Sequence, residues 1–81
     1  RHGDRGYFVK PTVLVNAKPG MKVMEEEIFG PVVCAVPFTD PNEVIASANN
    51  NIGGLAAAVW TRDVAKAHRL ASELRAGTVW V

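Results

Sequence analysis

Apolar runs and amphipathic stretches alternate along the last two thirds of the chain. The solid apolar runs are Val32 to Phe38, Leu55 to Trp60 and Thr78 to Val81. Each run predicts a short strand, and unbroken apolar runs are typical of strands buried on both faces of a parallel sheet. The resulting order β-α-β-α-β predicts an α/β fold in which helices connect parallel strands.

Capping signals delimit both predicted helices. In the first, Asp40 stands at the N-cap position, Pro41 occupies the first helical position, and the run Asn49-Asn50-Asn51 stops the helix. The second helix is predicted over Arg62 to Arg75, with Thr61 as its cap.

The first third of the chain is less regular. Tyr7 to Val15 is rich in Val, Thr and aromatic residues, but Pro11 interrupts it, so we predict an edge strand or two short strands. Asn16 to Gly20 predicts a turn, and Met21 to Glu27 predicts a short helical turn.

Composition and charge narrow the class of protein. The 81 residues amount to one domain at most, and a hydrophobic content of 48% is ordinary for a globular core. The net charge is +1 and no basic block occurs, which indicates neither nucleic acid nor an anionic membrane as partner. No apolar run approaches the roughly 20 residues of a membrane-spanning helix. The lone Cys34 cannot form an internal disulfide, which fits a reducing, cytoplasmic compartment.

Three phrases carry a resemblance to a known family. In chain order they are Gly6-Tyr7-Phe8-Val9-Lys10-Pro11-Thr12-Val13, Glu26-Glu27-Ile28-Phe29-Gly30-Pro31-Val32 and Ala76-Gly77-Thr78-Val79-Trp80-Val81. In this order and spacing they resemble the NAD(P)-dependent aldehyde dehydrogenases, over nearly the whole chain. The resemblance implies an oxidoreductase that oxidises an aldehyde to a carboxylic acid with NAD or NADP, and that works as a homo-oligomer.

The implied cofactor contacts lie in the second phrase. By resemblance, Glu27 corresponds to the glutamate that holds the hydroxyls of the nicotinamide ribose, and its two acceptor oxygens suit such a diol. Phe29 corresponds to the aromatic residue beside the nicotinamide. The alternatives are a solvated helix face for Glu27 and ordinary core packing for Phe29. Glu25 and Glu26 are interpreted as solvated.

The resemblance implies no catalytic residue in this chain. The chain opens on Arg1 and closes on Val81 within a predicted strand, so residues 1–81 are interpreted as a partial catalytic domain, truncated at both ends. The family's nucleophilic cysteine belongs to a phrase that this sequence lacks. Cys34 lies in an apolar run without a basic neighbour, so we interpret it as an inert thiol. The histidines and the cysteine are too scattered to predict a metal site.

One position departs from the family, and two further interpretations stay open. The residue before Gly54-Leu55 is usually aromatic, and here it is Gly53, which puts the local packing in doubt. The chain could instead be a non-enzymatic structural or association module, inactive in isolation. A related acyl-phosphate or semialdehyde reductase is the third interpretation, against which the second phrase argues. Trp60 and Trp80 are interpreted as core or interface anchors.

Overall fold

The computed structural model describes all 81 residues, Arg1 to Val81, as two compact units. The first unit is Arg1–Pro37 and the second is Phe38–Val81. Each unit contains one parallel pair of short strands with helix in the connection between them. The predicted α/β class with parallel strands is therefore confirmed.

The first unit pairs its strands across a single helical turn. Strand β1 is Thr12–Val15, helix α1 is Lys22–Glu25 and strand β2 is Val32–Ala35. The strands run parallel, and the register aligns Thr12 with Val32 and Val15 with Ala35. Of the predicted stretch Tyr7 to Val15, only the part after Pro11 forms a strand, and the residues before it do not. The predicted helical turn is present, although α1 is shorter than its predicted range. The sequence did not indicate that β1 is the partner of β2.

The second unit is a β-α-β crossover preceded by a helix. Its elements are α2 (Pro41–Asn49), β3 (Ala56–Ala58), α3 (Val64–Glu73) and β4 (Thr78–Trp80). Strands β3 and β4 pair in parallel. All four elements lie inside their predicted ranges, and the two strands in this unit are shorter than predicted.

Two capping predictions have different outcomes. The N-cap of α2 is Asp40 as predicted, and its Oδ1 accepts a hydrogen bond from Asn42 N at 2.9 Å. The cap of α3 is Asp63, whose Oδ1 accepts from Lys66 N at 3.0 Å, so the prediction of Thr61 is wrong. Thr61 Oγ1 instead accepts from Asp63 N at 3.2 Å, and this turn delays the helix start by two residues.

The strands are not buried on both faces within these 81 residues, as expected for a chain that can cover such a sheet only partly. Only Ala17 and Ala67 are buried, and both sheets alternate half-buried and exposed positions. The total accessible surface is 7060 Å² for a mass of 8.7 kDa. A compact monomer of that mass exposes about 4700 Å². The chain is too short to supply covering layers for both faces of its sheets. Trp60 and Trp80 are likewise exposed rather than core residues.

Candidate functional site

The candidate site is the loop between α1 and β2, which begins where α1 ends. The positive Lys22 lies at the N-terminal end of this helical turn and the negative Glu25 at its C-terminal end. Both charges are therefore unfavourable for the helix dipole, which is positive at the N-terminus and negative at the C-terminus. Glu26 then adopts an extended backbone and closes the turn through its N–H to Lys22 O at 2.8 Å. Glu27 therefore lies in the loop and not on a helix face, which separates it from Glu25.

Two consecutive tight turns shape the rest of the loop. Gly30 N donates to Ile28 O at 2.8 Å, and Val32 N donates to Gly30 O at 2.8 Å. These three-residue turns are centred on Phe29 and Pro31, and both are inverse γ-turns because neither residue has a positive φ. Thr12 N donates to Pro31 O at 2.9 Å and ties the loop to the start of β1.

The turn centred on Phe29 projects this ring out of the unit. Phe29 is 97% exposed, so ordinary core packing within these residues does not explain it. Glu27, two residues earlier, is also exposed, and its carboxylate forms neither an ion pair nor a hydrogen bond in the structure. The loop thus presents an unpaired anionic acceptor and an aromatic face from one short, doubly hydrogen-bonded segment.

This pair of side chains fits one part of a nicotinamide dinucleotide. The two free carboxylate oxygens of Glu27 can accept hydrogen bonds from neighbouring hydroxyls of a ribose. The exposed ring of Phe29 can pack against a planar aromatic ring, and a cationic ring is attracted to the face of an aromatic side chain. Gly30 borders an open depression with Pro11–Val13 and Pro31–Val33, so the space next to the turn is free.

The other residues considered for chemistry lie apart from this loop. Cys34 is half-buried in β2, and its Sγ lies 3.8 Å from Val23 O as a weak donor. His2 and His68 are both exposed, and no group of three or more His, Cys, Asp or Glu side chains is placed to hold a metal ion. No helix has both the length and the apolar character that crossing a bilayer requires.

Sequence patterns did not predict the anchor at Thr12 or the pair of turns. The anchor depends on the pairing of β1 with β2, which brings residues 12 and 31 together across nineteen positions of chain. The only available signal was Phe29-Gly30-Pro31 itself, because Gly and Pro mark a sharp change of direction.

The whole chain matches the model of the aldehyde dehydrogenase family, over residues 1–81. It is 49% identical over 81 residues to an aldehyde dehydrogenase of Agaricus bisporus, covering 100% of this chain and 16% of that protein. It is 53% identical over 78 residues to the mitochondrial aldehyde dehydrogenase of Homo sapiens, covering 96% of this chain and 15% of that protein.

Solved structures agree with the sequence matches. The NAD+ complex of an aldehyde dehydrogenase from Bacillus cereus superposes with a TM-score of 0.92 at 51% identity, covering 99% of this chain and 16% of that one. An aldehyde dehydrogenase of Mycobacterium tuberculosis complexed with NAD+ gives a TM-score of 0.85 at 40% identity, with 93% and 16% covered. The chain thus spans about one sixth of the length of these relatives. With a family match over its full length and this structural agreement, the chain belongs to the aldehyde dehydrogenase family.

Proposed function

We propose that residues 1–81 are a segment of the catalytic domain of an enzyme that oxidises an aldehyde to a carboxylic acid with NAD(P)+. In that enzyme the segment contributes the contact to the nicotinamide ribose through Glu27 and the aromatic wall beside the nicotinamide through Phe29. Family membership supports the reaction class. NAD+ complexes of two similar enzymes favour NAD+ as the cofactor, while NADP+ stays the alternative.

The observation that carries this proposal is the exposure of Phe29 together with the free carboxylate of Glu27. A large apolar ring that is 97% exposed is free to contact a partner from outside the described residues. The tight turns hold the backbone at Phe29, and Glu27 stands directly before the first turn, so the ring of Phe29 is presented without a large ordering cost on binding.

The residues of this segment bind and orient, and they carry no covalent step. When bound, the cofactor supplies the acceptor for the hydride that leaves the substrate carbon. Glu27 would hold the ribose by two charge-assisted hydrogen bonds, and Phe29 would limit the positions open to the nicotinamide. Cys34 is not proposed as a nucleophile, because it lies half-buried in β2 and not in this loop.

Assembly and location belong to the same proposal. We expect the enzyme to act as a homo-oligomer, with an aldehyde as substrate and no nucleic acid or membrane as partner. A cytoplasmic location is expected from the single cysteine, and mitochondrial enzymes are among the relatives, so fractionation of the source cells is the direct check.

A chimaera tests the proposal on a complete enzyme. Residues 1–81 replace the matching segment of the Bacillus cereus enzyme, to which they are 51% identical. We call the product the Bacillus cereus chimaera. Glu27→Gln keeps the size of the side chain but removes its charge and one acceptor. We expect NAD+ affinity or the rate of hydride transfer to fall about 10- to 150-fold, the range for losing a hydrogen bond to a charged group.

Glu25→Gln is the matched control, because Glu25 is an exposed glutamate at the end of α1, two residues away. It should leave both quantities within about twofold, as surface substitutions usually do. Equal, small effects at the two positions in binding and single-turnover measurements would reduce Glu27 to a solvated side chain and refute the proposed contact.

One observation favours a second candidate, a non-enzymatic association module. Val13, Val15 and Val33 lie on one face of the first sheet and are 62%, 66% and 58% exposed. A continuous apolar sheet face of this kind promotes association. A concentration-dependent oligomer of the 81-residue chain in sedimentation, together with a chimaera unaffected by Glu27→Gln, would favour this function over the first.

A further inference from the structure

Gly30 differs from every other glycine of the chain. Four glycines adopt a positive φ, which favours glycine for conformational reasons: Gly3, Gly6, Gly20 and Gly54. At Gly53 and Gly77 an added Cβ would approach Asn51 Oδ1 at 3.0 Å and Leu55 O at 3.2 Å, respectively. Gly30 has no positive φ, and apart from its chain neighbours Phe29 and Pro31 an added Cβ there would meet nothing within 4 Å. Neither a positive φ nor a contact with residues beyond its chain neighbours calls for glycine at this position.

Flexibility is also a poor explanation for Gly30. Its N–H donates to Ile28 O at 2.8 Å and its carbonyl accepts from Val32 N at 2.8 Å, so both of its backbone polar groups are engaged in the tight turns. The following Pro31 fixes its own φ, and Pro31 O is held by Thr12 N at 2.9 Å. A hinge would need these bonds to open. The remaining use of a glycine is close approach by a group from outside the described residues.

The surroundings indicate what kind of group approaches. Gly30 directly follows the exposed ring of Phe29 and borders the open depression next to β1 and β2. A flat ring that packs against Phe29 makes contacts at roughly 3.5–4.0 Å between carbon atoms. A methyl group on the Gly30 Cα would enter the open space that Gly30 borders. An oxidised nicotinamide is flat and cationic, which suits the face of an aromatic side chain.

We infer that the missing side chain of Gly30 provides the clearance in which the nicotinamide ring lies against the Phe29–Gly30 turn. Gly30 is then a positioning residue, and this inference rests on the proposed cofactor site. It predicts a defect that is confined to the nicotinamide end of the ligand. It also predicts that adding a methyl group does not harm the protein in the absence of cofactor, since residues 1–81 beyond Phe29 and Pro31 leave room for it.

The test uses two ligands and the Bacillus cereus chimaera. NAD+ carries the nicotinamide ring, whereas adenosine diphosphate ribose lacks the ring and keeps both ribose groups. We expect Gly30→Ala to weaken NAD+ binding about 5- to 150-fold, the range for forcing a methyl group into a filled space, and to leave adenosine diphosphate ribose unaffected. The unfolding temperature without cofactor should stay the same or rise, because alanine restricts the unfolded chain.

Matched variants separate this inference from the proposed ribose contact. Gly53→Ala makes the same chemical change outside the candidate loop and should alter binding of neither ligand. Glu27→Gln should weaken both ligands, because both retain the ribose. Gly30→Ser repeats the measurement with a polar group of similar size and should show the same selectivity as Gly30→Ala.

Several results would overturn the inference. Equal weakening of both ligands by Gly30→Ala, or a fall in unfolding temperature that accompanies the weakening, would assign Gly30 a structural role. Unchanged NAD+ affinity in Gly30→Ala alongside a defect in Glu27→Gln would leave the ribose contact standing and refute the clearance. A selective NAD+ defect in Gly30→Ala without any effect of Glu27→Gln would support the clearance and refute the ribose contact.

Discussion

Asn49, the last residue of α2, is hydrogen-bonded to Arg75, just beyond the end of α3. Asn49 Oδ1 accepts from Arg75 N at 2.7 Å, and Asn49 Nδ2 donates to Glu73 O at 2.9 Å. One amide group therefore satisfies a donor and an acceptor at the C-terminal end of a helix 24 to 26 residues away in sequence. This bridge joins the C-terminal end of α2 to the C-terminal end of α3, the helix of the β3–β4 crossover.

Removing the bridge should loosen the end of α3. Asn49→Ala removes two partly exposed hydrogen bonds, which corresponds to about 1–2 kcal/mol. We expect amide hydrogen exchange around Arg75 in the Bacillus cereus chimaera to speed up about 5- to 30-fold. Asn50→Ala is the control, because the side chain of Asn50 makes no hydrogen bond and exchange should stay unchanged. Similar exchange in both variants would show that the bridge does not hold the helix end.

A side chain at Gly54 should destabilise the second unit. Gly54 has φ +88°, and an added Cβ would lie 2.7 Å from Arg75 O, a backbone atom that cannot move aside cheaply. Strain and overlap together predict a loss of roughly 2–4 kcal/mol for Gly54→Ala. Thermal unfolding of the chimaera measures it. Gly53 has no positive φ, and its added Cβ would approach a side chain, that of Asn51, rather than a backbone atom, so the unfolding temperature of Gly53→Ala should change less. Equal unfolding temperatures for the two variants would contradict the backbone geometry at Gly54.

Cys34 should react slowly with thiol reagents while the protein is folded. Its side chain is half-buried on β2, and its Sγ faces the carbonyl of Val23 at 3.8 Å. We expect modification by a disulfide reagent to be several-fold slower in buffer than in denaturant, because the strand limits access. Cys34→Ala supplies the background rate. Equal rates in buffer and denaturant would show that the 81-residue chain does not hold β2 in place by itself.

The 81-residue chain by itself should not oxidise aldehydes. The described residues contain no activated nucleophile with a neighbouring base, since Cys34 is hydrogen-bonded only to a backbone carbonyl and both histidines are exposed. No NADH should form when the purified chain is mixed with NAD+ and an aldehyde. Production above that of Cys34→Ala would make Cys34 a nucleophile after all. Equal production by both proteins would show that another group in the chain suffices for turnover.

Capping at the two helices shows what local sequence can and cannot predict about a helix start. Asp40 followed by Pro41 identified the start of α2, because an acceptor side chain and a fixed φ act within one turn. The same rule failed at α3, where Thr61 and Asp63 are both suitable caps. Asp63 is the cap because its carboxylate reaches Lys66 N, three residues ahead. Propensity alone does not rank two good caps that stand two residues apart.

The sequence by itself determined the kinds of elements, their order and the phrases that indicate an aldehyde dehydrogenase, since periodicity, caps and turn residues act over a few neighbouring positions. Only the tertiary structure decided that β1 pairs with β2, which face of each strand is exposed, and that Thr12 anchors the loop at Pro31. It also decided the bridge from Asn49 to α3 and the free space at Gly30. These features depend on which distant residues meet, and a local hydrophobic pattern records how a segment is buried but not what it is buried against.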